Sequence, residues 1–160
     1  MSKVTRPASV LLVCLGNICR SPTAHAVMQT RLDEQGWHDI DVDSAGTGDW
    51  HIGRAPDPRT QQAAAQRGHD LSLLRARQIE AEDFYRFDLI LAMDEQNLAD
   101  MQALQPAGSP AELALFLEPV EGFGKAVPDP YYGGEDGFET VLDCVEAGVD
   151  AWLSRWHQTG

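Results

Sequence analysis

The stretch "CLGNICRS", Cys14 to Ser21, places two thiols, an asparagine, an arginine and a serine in one short segment. It follows the apolar run "SVLLV" and precedes Pro22, so it reads as a loop between a strand and the first turn of a helix. Such a loop aims several backbone N–H groups into one space, and the helix dipole favours an anion there. Gly16 lets the backbone curl closely, and Asn17 can take a left-handed conformation that braces the turn. Arg20 adds a planar guanidinium that grips two oxygens of an oxyanion at once, which a lysine cannot do. The same field favours Cys14 as thiolate. The chemistry on offer is thiolate attack on the phosphorus of a bound phosphate ester. Ser21 can donate to that thiolate or cap the helix opening at Pro22.

Bulk properties limit what surrounds this loop. With 160 residues at 43% hydrophobic content, the chain reads as a single domain over 1–160, residues 1–8 forming a flexible N-terminus. Twelve basic against 25 acidic residues give a net charge of −13, which argues against nucleic acid and anionic membrane surfaces as partners. Any anion must be captured by a local positive site. Three cysteines, two of them in one loop, do not make a secreted disulfide framework, and a reducing compartment, the cytoplasm, is expected. Lys3 and Arg6 ahead of Val10–Val13 imitate a signal peptide, but the apolar run is short and breaks at Gly16-Asn17 without a small-residue cleavage site. It is read as a buried strand. No stretch approaches transmembrane length, so no membrane insertion is expected.

Strand-like and helix-like segments alternate along the rest of the chain. After strand one, Pro22 opens a helix with Ala24, Val27, Met28 and Leu32 at helical spacing, stopped by Gly36. "IDVDSAG" is a second strand. Asp57-Pro58 caps and opens a helix over "RTQQAAAQR" that Gly68 closes, and Phe87 to Met93 is a continuous apolar strand. Asp94 caps the next helix, and "ELALFL" is the fourth strand. Phe138, Val141, Leu142, Val145, Val149, Trp152 and Trp156 form one face of a long terminal helix, which also holds Cys144. This alternation predicts an α/β three-layer sandwich, a four-stranded parallel sheet with helices on both faces and an anion-binding loop after strand one.

Cysteine, five residues, arginine and serine form the signature of cysteine-dependent phosphatases. Together with "DWHIGRAPDPR", "RARQI", "AMDEQN" and "DPYYGG" it makes the chain resemble the low-molecular-weight protein tyrosine phosphatase family from about Val10 to Trp152. The resemblance implies that Cys14 attacks the phosphate ester and Arg20 holds the equatorial oxygens. It also implies that Asp129 protonates the leaving phenolate, then activates water against the phosphocysteine. Without the resemblance, Asp129 between Pro128 and Pro130 reads as a turn aspartate. Leu15 and Ile18 would line the floor, Trp50, Tyr131 and Tyr132 the walls of a deep aromatic slot, and Gly16, Asn17, Cys19 and Ser21 the cradle. Ser44 and Asp94 would help hold this network. The family reaction needs no metal or cofactor. The implied ligands are phosphate and other oxyanions, and the partners are phosphotyrosine proteins, with a tyrosine kinase among the candidates. The family also permits phosphorylation of Tyr131 and Tyr132. Cys19 is either a small buried residue or a partner that forms a disulfide with oxidised Cys14.

Departures from the family pattern fall behind the loop. Many members carry a histidine two residues before "ARQ", bonded to the loop asparagine, where this chain has Leu73 or Leu74, and His25 replaces a glutamate of several relatives. His38, His51, His69 and His157 show no metal-ligand spacing. The main alternative on the same scaffold is a phosphoarginine phosphatase, but relatives of that type carry threonine at Ile18. A thiol-coupled arsenate reductase needs two further mid-chain cysteines, and none lies between Cys19 and Cys144. A catalytically dead phosphotyrosine-binding module is opposed by the intact Cys14, Arg20 and Asp129.

Overall fold

The computed structural model describes residues 7–120, 126–128 and 136–157. Asp129, Tyr131 and Tyr132 lie outside the described residues, as does the segment 1–6 of the N-terminus expected to be flexible. Strands β1 (Ser9–Cys14), β2 (Asp41–Gly46), β3 (Leu89–Ala92) and β4 (Glu112–Leu115) form one four-stranded sheet, all pairs parallel, in the order β2-β1-β3-β4. The helices are α1 (Arg20–Gln35), α2 (Pro58–Gln66), α3 (Asp83–Arg86), α4 (Glu95–Leu104) and α5 (Asp136–His157).

The unbroken apolar run of β1 follows from its central place, because a strand covered on both faces has no solvent side to mark with polar residues. Val10, Leu12 and Cys14 face a cluster built with Val27, Met28 and Leu32 of α1 and Val145, Val149, Trp152 and Trp156 of α5. Leu11 and Val13 face the opposite cluster, with Phe84, Phe87 and Met101. The three-layer arrangement is therefore the one expected. The terminal tryptophans are core, and Trp152 Nε1 donates to the Phe116 carbonyl at 2.6 Å. A third cluster joins Ile18 and Cys19 to Ala63 and Ala64 of α2, Leu71, Ala76 and Phe138 and Leu142 of α5.

Several boundaries differ from the sequence reading. α1 begins at Arg20, not Pro22, and Cys19 occupies its N-cap position without a side-chain cap hydrogen bond. Ser21 therefore sits inside the first turn, and Gly36 ends the helix at φ 75°. β3 and β4 are shorter than the apolar runs that contain them: Phe87, Met93, Phe116 and Leu117 are buried beyond the strand ends, where the Met93 and Phe116 N–H groups still reach the carbonyls of Val13 and Ala92. The single-turn helix α3 had no periodicity long enough to reveal it. Asp57 and Asp94 cap α2 and α4 as expected, accepting the N–H groups of Arg59 and Asn97. Among the described residues, no helix is long and apolar enough to cross a membrane.

Candidate active site

β1 and β3 are neighbours whose following helices cover opposite faces, so the loops leaving their carboxyl ends part and open a crevice between them. The loop after β1 carries Cys14, and the turn after β3 carries Asp94. The register pairs Cys14 with Gly46, and the Cys14 carbonyl accepts the Thr47 N–H at 2.9 Å. The nucleophile candidate is thus the last residue of the most constrained strand. Its side chain is 3% exposed.

The loop curls back over the thiol. The Asn17 N–H points at Cys14 Sγ from 3.3 Å, and Asn17 takes φ 57°, the left-handed turn that its residue type tolerates. Asn17 Nδ2 donates to Ser21 Oγ at 2.7 Å, so one lone pair of that hydroxyl is taken. Its proton can reach Cys14 Sγ at 3.0 Å or the Ala45 carbonyl at 3.5 Å, and the shorter contact suits a thiolate acceptor. Ser21 is therefore a partner of the thiol and not a helix cap.

Arg20, the first residue of α1, is 3% exposed. Its Nη1 donates to Asp94 Oδ2 at 2.7 Å and to the Val127 carbonyl at 3.1 Å. Asp94 spends its other oxygen on the α4 cap, accepting Asn97 N–H at 2.7 Å. The aspartate read both as helix cap and as network residue is both.

Two glycines admit the close approaches of this loop. A Cβ on Gly46 would lie 2.7 Å from the Leu15 carbonyl and 3.2 Å from Asn17 N, and one on Gly16 would lie 2.9 Å from the ring of His51. Gly46 was not singled out in the sequence, although it closes the second strand. Arg77 was missed as well. Its N–H donates to Asn17 Oδ1 at 3.0 Å, and its carbonyl accepts Gly46 N–H at 2.8 Å. Its guanidinium binds both oxygens of Asp83 at 3.0 Å and reaches Asp43 at 3.2 Å. Burial works against that charge, but Asp83 and Asp43 outweigh it and hold Arg77 above the ordinary arginine range. The "RARQI" motif was visible, but not that its backbone would buttress the loop.

This buttress also answers the missing histidine. The Asn17 carboxamide oxygen is held by the Arg77 backbone, while Leu74 is half-buried and packs against the Ile18 cluster and Leu73 is 87% exposed. His25 stands behind the loop with Nδ1 3.1 Å from Ser44 Oγ. Burial pushes its imidazole below the ordinary range, and Asp43 partly offsets the shift.

The expected pocket residues divide. Leu15 is 39% and Trp50 67% exposed, the Trp50 ring lying against Gly48. Ile18 is buried and packs in the α2/α5 cluster. Cys19 is buried too, and its carbonyl accepts the Thr23 hydroxyl at 2.7 Å; Cys14 and Cys19 are both reduced. Burial, aided by Asp143, pushes the Cys144 thiol up, in keeping with an inert core residue. His157 stacks on Trp37 with ring centroids 5.8 Å apart. Among the described residues, no group of three or more His, Cys, Asp or Glu side chains could hold a metal ion.

A doubly wound parallel sheet that presents a buried thiol and an arginine at the head of its first helix defines a class of α/β proteins built around an oxyanion cradle. The sequence profile of the family described as low molecular weight phosphotyrosine protein phosphatase matches residues 9–159. The chain belongs to that family, which makes it a hydrolase of the protein phosphatase class. It is 46% identical over 150 residues to the low molecular weight phosphotyrosine protein phosphatase of Schizosaccharomyces pombe, covering 92% of this chain and 94% of that one. The protein tyrosine phosphatase of Entamoeba histolytica superposes with a TM-score of 0.89 at 34% identity, over 94% of this chain and 97% of that one. The drosophila arginine phosphatase DARP superposes with a TM-score of 0.87 at 31% identity, over 94% and 98%.

Proposed function

We propose that the protein hydrolyses phosphotyrosine in proteins, and small aryl phosphates, through a phosphocysteine intermediate. Cys14 Sγ attacks phosphorus in line with the ester oxygen; the S–P bond forms as the P–O bond to the phenol breaks. The phenolate leaves with a proton from Asp129. Deprotonated Asp129 then takes a proton from water as that water attacks phosphorus, breaking the S–P bond and releasing phosphate and the Cys14 thiolate. Arg20 and the loop N–H groups hold the equatorial oxygens, whose charge rises in the transition state.

The observation that carries this reading is the setting of Cys14 Sγ, with the Asn17 N–H and the Ser21 hydroxyl turned to it at the head of α1. These two contacts hold the sulfur in one position for attack on phosphorus. Asp94 keeps the Arg20 fork in one orientation beside it.

Similarity to an arginine phosphatase supports a second reading, hydrolysis of phosphoarginine on the same loop. Ile18 opposes it, since its buried apolar side chain offers no hydroxyl to orient a guanidino nitrogen or water. Arsenate reduction lacks the cysteines it needs, because the chain has only Cys14, Cys19 and Cys144. Purified protein assayed side by side on a phosphotyrosine peptide, a phosphoarginine peptide and arsenate tests all three. Turnover of phosphotyrosine is expected to dominate, and Cys14→Ser should abolish it while phosphate still binds the loop. Ordinary turnover by the serine variant would remove Cys14 as nucleophile.

A further inference from the structure

His25 is a half-buried titratable side chain behind the cradle, and the proposed chemistry gives it no work. It follows Ser21 by four positions, so the two side chains share one face of α1. That face meets the end of β2. Ser21 Oγ lies 3.5 Å from the Ala45 carbonyl, and His25 Nδ1 lies 3.1 Å from the hydroxyl of Ser44, itself 5% exposed.

From Ser44 a run of hydrogen bonds leads to the nucleophile. Asp43 Oδ1 accepts the Ser44 N–H at 2.8 Å, and Oδ2 accepts Arg77 Nε at 3.2 Å. The Arg77 N–H holds Asn17 Oδ1, and Asn17 Nδ2 donates to Ser21 Oγ, which lies 3.0 Å from Cys14 Sγ. The circuit ends one turn of α1 from where it began. Of the other charges around it, Arg20 is held by Asp94, Asp83 by Arg77, and Glu146 and Asp150, the α5 acids that reach α1, by Arg31. Asp33 and Glu34 lie two turns further along the helix, and Asp41 at the far end of β2. Asp43 is the carboxylate that acts on the imidazole, drawing it toward the charged form against burial, which prevails. The ring is therefore neutral at neutral pH and takes up its proton only on acidification.

A neutral ring can accept the Ser44 proton at Nδ1, whereas an imidazolium can only donate there. The imidazolium also competes with Arg77 for Asp43. We propose that His25 is a positioning residue for the nucleophile loop, and that its protonation draws Asp43 away from Arg77 and slackens the Arg77 hold on Asn17. The inference rests on the phosphatase reading and adds a residue that sets the rate without touching substrate. Because the loop shifts relative to the bound ester, the effect falls on kcat more than on KM.

The first measurement needs no substrate. In NMR spectra of the wild type recorded from about pH 4.5 to 8 without phosphate, the Asn17 side-chain amide and the Arg77 backbone amide should shift with the midpoint of the His25 ring protons. The component with that midpoint should vanish in His25→Gln. The second measurement takes kcat and KM for a small aryl phosphate over the same range in wild type, His25→Gln and His25→Leu, with thermal melts to show that each folds. At pH 8 His25→Gln, whose amide can still reach Ser44, should keep kcat within about twofold, while His25→Leu should lose about threefold to tenfold with KM nearly unchanged. On acidification the ratio of wild-type to His25→Gln kcat should fall about threefold to tenfold in a single-proton step at the His25 midpoint, because only the wild type takes up that proton. A flat ratio, Asn17 shifts that persist in His25→Gln, equal kcat of His25→Leu and wild type, or a His25 ring that does not titrate in this range overturns the role. If the aryl phosphate is hydrolysed with a flat ratio, the positioning role fails and the phosphatase reading stands. If nothing is hydrolysed while Asn17 follows His25, the phosphatase reading fails and the link from His25 to the loop stands.

Discussion

One carboxylate oxygen of Asp94 holds Arg20 at 2.7 Å while the other caps α4 through Asn97 N–H, so a single side chain ties the head of α1 to the loop after β3. Substitutions can separate the two duties. Asp94→Ala removes the cap, worth about 1 kcal/mol, and strips a buried guanidinium of its counter-charge, so a total loss of roughly 2–4 kcal/mol is expected in urea denaturation. Asp94→Asn keeps an oxygen for the cap and should lose less stability, yet kcat/KM should fall by about tenfold to a hundredfold as the fork loosens. Equal activity of the Asn variant and the wild type would show that Asp94 is only a helix cap. Arg20→Lys should be slower still, because a point charge replaces a planar fork.

What could be read in the sequence was what rests on local chemistry. The apolar runs of β1 and β3, the Asp57 and Asp94 caps and the strand–loop–helix setting of Cys14 follow from residue type and spacing, and the structure has them. Whatever depends on contacts between distant segments stayed hidden. Arg77 looks like any surface arginine until its N–H is found on Asn17, sixty positions earlier, and Gly46 looks like a strand end until the Leu15 carbonyl is found against it. The surroundings of Ile18 stayed hidden for the same reason: its neighbours come from α2 and α5, and they bury it. The first turn of α1 went wrong in a different way. Pro22 marks a helix start by rule, but Arg20 and Ser21 already adopt the helix because Cys14, Asn17 and Asp94 engage their side chains.

The role proposed for Asp129 predicts a dependence on the leaving group. An acidic phenol departs readily as its anion, so an activated aryl phosphate should need the acid less than phosphotyrosine does. In Asp129→Asn the loss in kcat/KM should grow with leaving-group pKa, and the limb of the pH profile that reports the protonated acid should disappear. Single-turnover bursts keep the phosphorylation step apart from hydrolysis of the phosphocysteine. A uniform loss with that limb intact would move the acid elsewhere.

Gly46→Ala should damage the site without touching any reacting group. The added methyl would lie 2.7 Å from the Leu15 carbonyl, which is backbone and cannot swing aside, so the loop must lift. A cost of about 1–3 kcal/mol in stability is expected. The kcat for an aryl phosphate should drop more than KM rises, because the cradle is displaced relative to Cys14. Wild-type kcat with a full stability loss would mean that the loop tolerates the shift.

His25 supplies a prediction about pH. Its folded-state pKa is lowered by burial, Asp43 only partly offsetting this, whereas in the unfolded chain it titrates near 6.5. Between the lowered value and 6.5 the unfolded state binds more protons than the native one, so stability rises with pH across that window and is lost on acidification. Well above 6.5 both states hold a neutral imidazole and the effect vanishes. One such group changes stability by at most about 1.4 kcal/mol per pH unit. His25→Gln keeps an amide that can reach Ser44 Oγ but cannot titrate. Urea midpoints measured from about pH 5 to 8 should therefore fall less steeply on acidification in the variant. The penalty of the substitution should be largest at pH 8 and shrink, or change sign, toward pH 5. His38, His51, His69 and His157 are common to both proteins, so their titrations cancel in the difference. A wild-type-minus-variant difference that stays constant over the whole range would mean that His25 titrates alike in the folded and unfolded chain, and that its bond to Ser44 is packing without electrostatic consequence.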